Sequence, residues 1–272
     1  MDPIKRPLLY LLIAAFMALA VVGQSAMAAS SPAVTVITEP AYLGPDRVPS
    51  TLVYPKGAER LPVIFGVHGL GGNKSQMVSY AKTLAATGYV VVAIDARLHG
   101  EWLGRNIQHP SMTQAWVLTA MDISHCVDAL GADPRVDTTK VGMYGYSMGG
   151  IITFLAVTMD KRIAVAAPMI GSPEWQDAAS RNRIELDGPL TALWEPKLHP
   201  EKFYPTALLM QTGAKDEVVP PDGARRLNEV LKPLYASTPE RLSYVEYPKL
   251  DHSSPLYMEN VTTQWFVRFL TK

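Results

Sequence analysis

Gly145-Tyr146-Ser147-Met148-Gly149 is the stretch of this chain best suited to chemistry. The apolar run Val141–Tyr144 leads into it, and the helix-compatible run Ile151–Ala156 follows at once. A strand that becomes a helix over so few residues forces the middle residue into a strained backbone conformation. Glycines on either side remove the Cβ atoms that would clash, so the serine hydroxyl projects from the tip of the turn. Such a hydroxyl can attack an acyl carbonyl once a base removes its proton and a third group orients that base. The pattern alone is weak: with glycine at about 7% of residues, roughly one chain of this length in fourteen shows it by chance. Its partners decide.

Those partners occur in a fitting order. Thr212-Gly213-Ala214-Lys215-Asp216 follows an apolar strand-like run, and Asp216 sits in the turn just past it. Leu250-Asp251-His252-Ser253 follows the last strand-like run, with His252 in the loop before the closing helix. The roles this order suggests are Ser147 as nucleophile, His252 as general base and then acid, and Asp216 as the carboxylate that fixes the imidazole. Glu217 is the rival carboxylate, but one residue on, its side chain leaves the turn in another direction. Asp251 adjoins His252, and sequence neighbours rarely present side chains to one another. A tetrahedral intermediate also needs donors. The backbone N–H of Met148, at the start of a helix, is one. The N–H of Leu70, in the loop His68-Gly69-Leu70-Gly71-Gly72, is the other, with His68 bracing that loop.

The elements that must position these groups alternate. Val63–Val67, Tyr89–Ile94, Lys140–Tyr144, Ile163–Met169, Pro205–Gln211 and Arg241–Tyr247 read as strands, most of them buried on both faces. Val34–Ile37 and Thr51–Tyr54 read as edge strands. Helices are predicted near residues 75–87, 113–130, 222–235 and 256–270, besides the one after Ser147. The result is an α/β fold: a doubly wound, mostly parallel eight-stranded sheet with helices on both faces. Functional loops in such sheets gather at the carboxyl ends of the strands. An insertion spans residues 171–204 and reads as a short lid-like helical excursion, with Trp175 and Trp194 either walling a pocket or anchoring the excursion. Asp95 and Arg97, two apart in a tight loop, suggest an ion pair that fixes its shape.

Composition bounds the function. The chain has 272 residues, 48% hydrophobic and 18% charged, with 25 basic and 25 acidic side chains and no net charge. That balance offers nothing to attract nucleic acid or anionic membranes. Residues 1–28 have the order of a bacterial secretory signal: Lys5 and Arg6, an apolar run to Val22, then Ala26-Met27-Ala28. The expected location is therefore periplasmic or secreted, with residues 29–272 as the mature domain and no stable membrane association once the signal is cleaved. Cys126 is the single cysteine, which rules out an internal disulfide and suits a small buried side chain.

With these residues in view, the chain resembles the α/β-hydrolase superfamily, and within it the dienelactone hydrolase-like and prolyl oligopeptidase-like serine esterases. The residues carrying the resemblance are the His68–Gly72 loop, Asp95-x-Arg97-x-His99-Gly100, Gly145–Gly149, Gly213-x-x-Asp216-x-x-Val219-Pro220 and the His252 loop. The resemblance implies a carboxylesterase that needs no cofactor and no metal, acting on a small-molecule ester through Ser147, Asp216 and His252. Dienelactone hydrolases proper carry cysteine where this chain has Ser147. Acyl transfer to an alcohol or amine uses the same machinery and stays open beside hydrolysis; a binding protein with a vestigial site is the reading from another class.

Overall fold

Runs of Val, Ile, Leu and Ala bounded by Gly and Pro become strands, because branched side chains fit a pleated surface covered on both sides. In the computed structural model, which describes residues 34–270 apart from Ile107, the strands are β1 (Val36–Leu43), β2 (Val48–Pro55), β3 (Leu61–Val67), β4 (Val90–Ile94), β5 (Val136–Tyr146), β6 (Ile163–Met169), β7 (Ala207–Gly213) and β8 (Leu242–Tyr247). The helices are α1 (Val78–Ala86), α2 (Met112–Leu130), α3 (Met148–Met159), α4 (Trp175–Arg181), α5 (Gly188–Trp194), α6 (Asp222–Leu231) and α7 (Leu256–Phe269). The signal-peptide reading of residues 1–28 lies outside the described residues. Among those described, no helix is long and apolar enough to cross a membrane.

All eight strands join one sheet in the order β1-β2-β4-β3-β5-β6-β7-β8. β2 runs antiparallel to β1 and β4, and every other pairing is parallel. The period of two in a strand sorts the core. Val63, Phe65, Val90, Val92 and Met143 face α2 and α3, whereas Ile64, Val91, Ala93 and Tyr144 face α1 and α7. The chain steps from β3 outward to β4 and then returns to the other side of β3 with β5. Ser147 follows β5 directly, at the switch point where such sheets hold their ligands.

One expectation needs correcting. Thr51–Tyr54 is not an edge strand: β2 is bonded to β1 on one side and to β4 on the other, and Leu52 and Val53 are buried. Ser50 and Thr51 gave the run a half-polar look, yet the Ser50 hydroxyl is satisfied locally by the Val48 carbonyl at 2.9 Å. The insertion over residues 171–204 does contain short helices, α4 and α5, followed by 3-10 turns at Pro196–Leu198 and Pro200–Lys202. Cys126 is fully buried in α2, and burial pushes its thiol pKa well up.

Candidate active site

Ser147 sits between β5 and α3 with φ 54° and ψ −114°, a conformation that costs a non-glycine residue about 1–3 kcal/mol. The neighbouring glycines are obligatory for a backbone reason. A Cβ on Gly145 would lie 2.3 Å from the Gly149 carbonyl carbon, and one on Gly149 would lie 2.0 Å from the Val67 carbonyl oxygen. The strand end, the turn and the first turn of α3 are thus pressed against β3. Ser147 N–H donates to the Met169 carbonyl at 3.0 Å, tying the turn to β6 as well. Beside it, the Tyr146 hydroxyl donates to Glu259 of α7 at 2.6 Å.

The loops after β7 and β8 are closed onto each other. Gly213 packs with its Cα face against the Leu250 and Asp251 carbonyls, where a Cβ would lie 2.5 and 2.6 Å from the two oxygens. Ala214 N–H donates to Tyr247 O at 3.0 Å and Lys215 N–H to Leu250 O at 2.9 Å. This zipper brings His252 to Asp216: Nδ1 lies 2.8 Å from Asp216 Oδ2. His252 Nε2 lies 2.9 Å from Ser147 Oγ. The other oxygen of Asp216 accepts the Val218 and Val219 N–H groups at 2.9 and 2.8 Å, so the buried carboxylate has partners on both oxygens and one fixed orientation. Glu217 and Asp251 are exposed, and Asp251 accepts from Ser253 rather than His252.

The loop His68–Gly72, expected to supply the second oxyanion donor, also reaches Ser147. A Cβ on Gly69 would be 3.6 Å from Ser147 Cβ, and the loop turns tightly through a Gly72 N–H to Gly69 O bond of 3.0 Å with Gly71 at φ +74°. Leu70 lies on the wall of the hollow beside Ser147, as does Met148. As the first residue of α3, Met148 has an N–H with no acceptor inside the helix.

His68 braces this loop. Its Nδ1 lies 2.8 Å from Gly69 O, and its Nε2 accepts the Ala96 N–H at 3.1 Å, which fixes a neutral imidazole with the proton on Nδ1. Burial lowers its pKa below the ordinary 6.5. The sign of the linkage follows: below about pH 6.5 the unfolded chain takes up a proton that the folded His68 refuses, so stability is full above that value and falls with acidification. The urea midpoint should therefore drop between about pH 7 and pH 5, and His68→Gln should drop less.

The ion pair expected between Asp95 and Arg97 does not form. Buried Asp95 instead accepts from Lys74 N–H, Lys74 Nζ and Glu101 N–H at 2.7, 2.9 and 3.0 Å, linking the Leu70 loop to the loop after β4. Arg97 turns the other way, with Nη2 2.6 Å from Asp122 of α2 and also on Asp46, its guanidinium 3.9 Å above the Trp102 ring. Both residues lie in the turn past the end of β4, where Lys74 of the neighbouring loop takes the Asp95 carboxylate and Asp122 of α2 takes the guanidinium.

Beside Ser147 lies a narrow hollow of about 30 Å³, walled by Leu70, Trp116, Met148, Ile151, Ala178, Asn182, Ile184 and Val219. Ala178, Asn182 and Ile184 come from the insertion, which is latched down where Asn182 Nδ2 donates to Val218 O at 3.1 Å and Arg181 to Glu217 O at 3.2 Å. The two tryptophans singled out in sequence are not on this wall. Trp175 is fully buried behind Trp116, ring centroids 5.5 Å apart, so it anchors the insertion. Trp194 lines a separate hollow with His125 and Lys202. Trp116 carries the wall instead; it sits within an amphipathic run that reads only as a buried helix, and nothing in sequence marks it out.

This fold and site define the chain as an α/β hydrolase of the serine type. The sequence profile of the family described as serine aminopeptidase, S33, matches residues 58–202, more than half of the chain, and the chain belongs to that family. The matched segment holds the Leu70 loop and Ser147; Asp216 and His252 lie beyond it. Among curated proteins, "Putative esterase YitV" of Bacillus subtilis is 28% identical over 229 residues, 77% of this chain and 90% of that protein. Among solved structures, TT1662 of Thermus thermophilus superposes with a TM-score of 0.71 at 20% identity, covering 88% of this chain and 99% of that one. The acylaminoacyl peptidase of Pyrococcus horikoshii gives 0.69 at 19% identity, covering 89% of this chain and 43% of that one.

Proposed function

We propose that this protein is a serine carboxylesterase acting through an acyl-enzyme. The observation that carries the reading is the unbroken chain of contacts from Asp216 through His252 to Ser147, at 2.8 and 2.9 Å. Ser147 Oγ attacks the ester carbonyl as its proton passes to His252 Nε2. The tetrahedral oxyanion is held by the N–H groups of Leu70 and Met148. It collapses by breaking the acyl C–O bond, and the alcohol leaves with the proton from His252. Water then attacks the acyl-enzyme, again losing its proton to His252, and Ser147 is released with the free acid. Asp216 keeps the imidazole in one tautomer and stabilises its charged form. Each oxyanion donor contributes on the order of 3 kcal/mol.

The hollow supports ester over aminopeptidase chemistry. Among the described residues its wall is apolar apart from Asn182 and Ser147, and no residue on it is a carboxylate that would hold a peptide's α-ammonium group. The similarity to the Bacillus subtilis protein described as "Putative esterase YitV" points the same way. Export to the periplasm or beyond, read from residues 1–28, is part of the same proposal. A direct comparison tests the reading: p-nitrophenyl acetate should be turned over, and alanine p-nitroanilide should react at least about 100-fold more slowly in kcat/KM. Comparable or faster cleavage of the anilide would contradict it.

A further inference from the structure

We infer that the site takes esters of a short acyl group with a long apolar alcohol, an inference that rests on the esterase reading and names its substrate class. The two ends of an ester are assigned by the proton. The leaving oxygen must receive it from His252 Nε2, so the alcohol departs on the side of the His252 loop. The acyl group then occupies the other side of Ser147. That side is the hollow of about 30 Å³, on whose wall Ser147 and Met148 lie and His252 does not.

The hollow sets a limit on acyl length. Its volume of about 30 Å³ is far below that of a site for drug-sized ligands and leaves room for only a short acyl group such as acetyl. Its walls do not yield easily. Trp116 is buried and backed edge-on by the buried Trp175, and Ile184 belongs to the insertion latched to Val218 O.

The alcohol side is different. Leu256 and Tyr257 open α7 just past the His252 loop, and they are 69% and 46% exposed. The Tyr257 ring rests on Tyr247, centroids 5.0 Å apart, at the end of the strand that leads to His252. Lone exposed leucines are commonplace, but Leu256 and Tyr257 begin the helix that directly follows the His252 loop. An alkyl chain leaving along His252 would lie over them, gaining contact with each added methylene.

Crossed ester series test this, with acid release followed by titration. One series runs from ethyl to octyl acetate and the other from ethyl acetate to ethyl octanoate. For the alcohol series kcat/KM should rise about two- to four-fold per methylene while the chain remains on the apolar surface. For the acyl series it should fall at least about ten-fold by the octanoate, since no room is left for the chain. Leu256→Ser should cut the octyl-to-ethyl acetate ratio about three- to ten-fold and leave the acyl series unchanged. Ile184→Ala should move the acyl optimum to longer chains and leave the slope of the alcohol series, whatever its absolute rates, unchanged. A flat alcohol series, a slope indifferent to Leu256→Ser, or preference for the octanoate would overturn the inference while the esterase reading stood. No turnover of any ester would overturn both.

Discussion

Ser147→Ala is expected to lower ester turnover by about 10⁴- to 10⁶-fold without unfolding the protein. The Ser147 side chain has one partner, His252 Nε2 at 2.9 Å, while its backbone is held independently by the bond to Met169 O. Alanine keeps the Cβ and the turn, so the urea midpoint should stay near that of the wild type. The same argument fixes how the variants combine. Ser147 and His252 act as one unit, and the double alanine variant should lose no more than the more damaging single one. Asp216→Asn should cost about 10⁴-fold, because an amide placed against Val218 and Val219 N–H favours the wrong imidazole tautomer. Steady-state assays at saturating p-nitrophenyl acetate separate these values. Independent, multiplying losses would show that the three groups do not act together.

Gly149→Ala is expected to be the most damaging addition of one methyl group in the chain. In an ordinary helix this change stabilises by about 1 kcal/mol. Here the new Cβ would meet Val67 O at 2.0 Å, Val67 C at 2.6 Å and His68 O at 2.9 Å, all of them backbone atoms at the end of β3. Relief requires α3 to back away from the sheet, and that shift carries Ser147 away from His252 and from the Leu70 loop. A loss of about 3 kcal/mol or more in urea unfolding should accompany loss of activity. Gly188→Ala is the control: it opens α5, a Cβ there meets nothing within 4 Å, and stability should hold or rise. Equal behaviour of the two variants would contradict the close approach of α3 to β3.

The site residues were legible because each lies where a strand stops and the chain changes its grammar: β5 into Gly-x-Ser-x-Gly, β7 into Gly213 and Asp216, β8 into His252. Local pattern is enough there. It fails where the partner is set by how elements cross. Arg97 finds Asp122 across 25 positions and Asp46 across 51, whereas its near neighbour Asp95 faces Lys74. The same holds for Trp116, which reaches the hollow because α2 passes beneath the insertion, and for β2, whose interior place depends on pairing with β4. Trp175 and Trp194 drew notice by type, but burial behind Trp116 removes the first from substrate and a different face removes the second.

Treatment with an alkyl fluorophosphonate, followed by peptide mapping by mass spectrometry, tests at the atom concerned whether Ser147 is a nucleophile activated by His252. One covalent adduct per chain should appear, located on Ser147, and Ser147→Ala and His252→Ala should both abolish it. An adduct on another residue, or ester turnover that survives with Ser147 unmodified, would contradict that role.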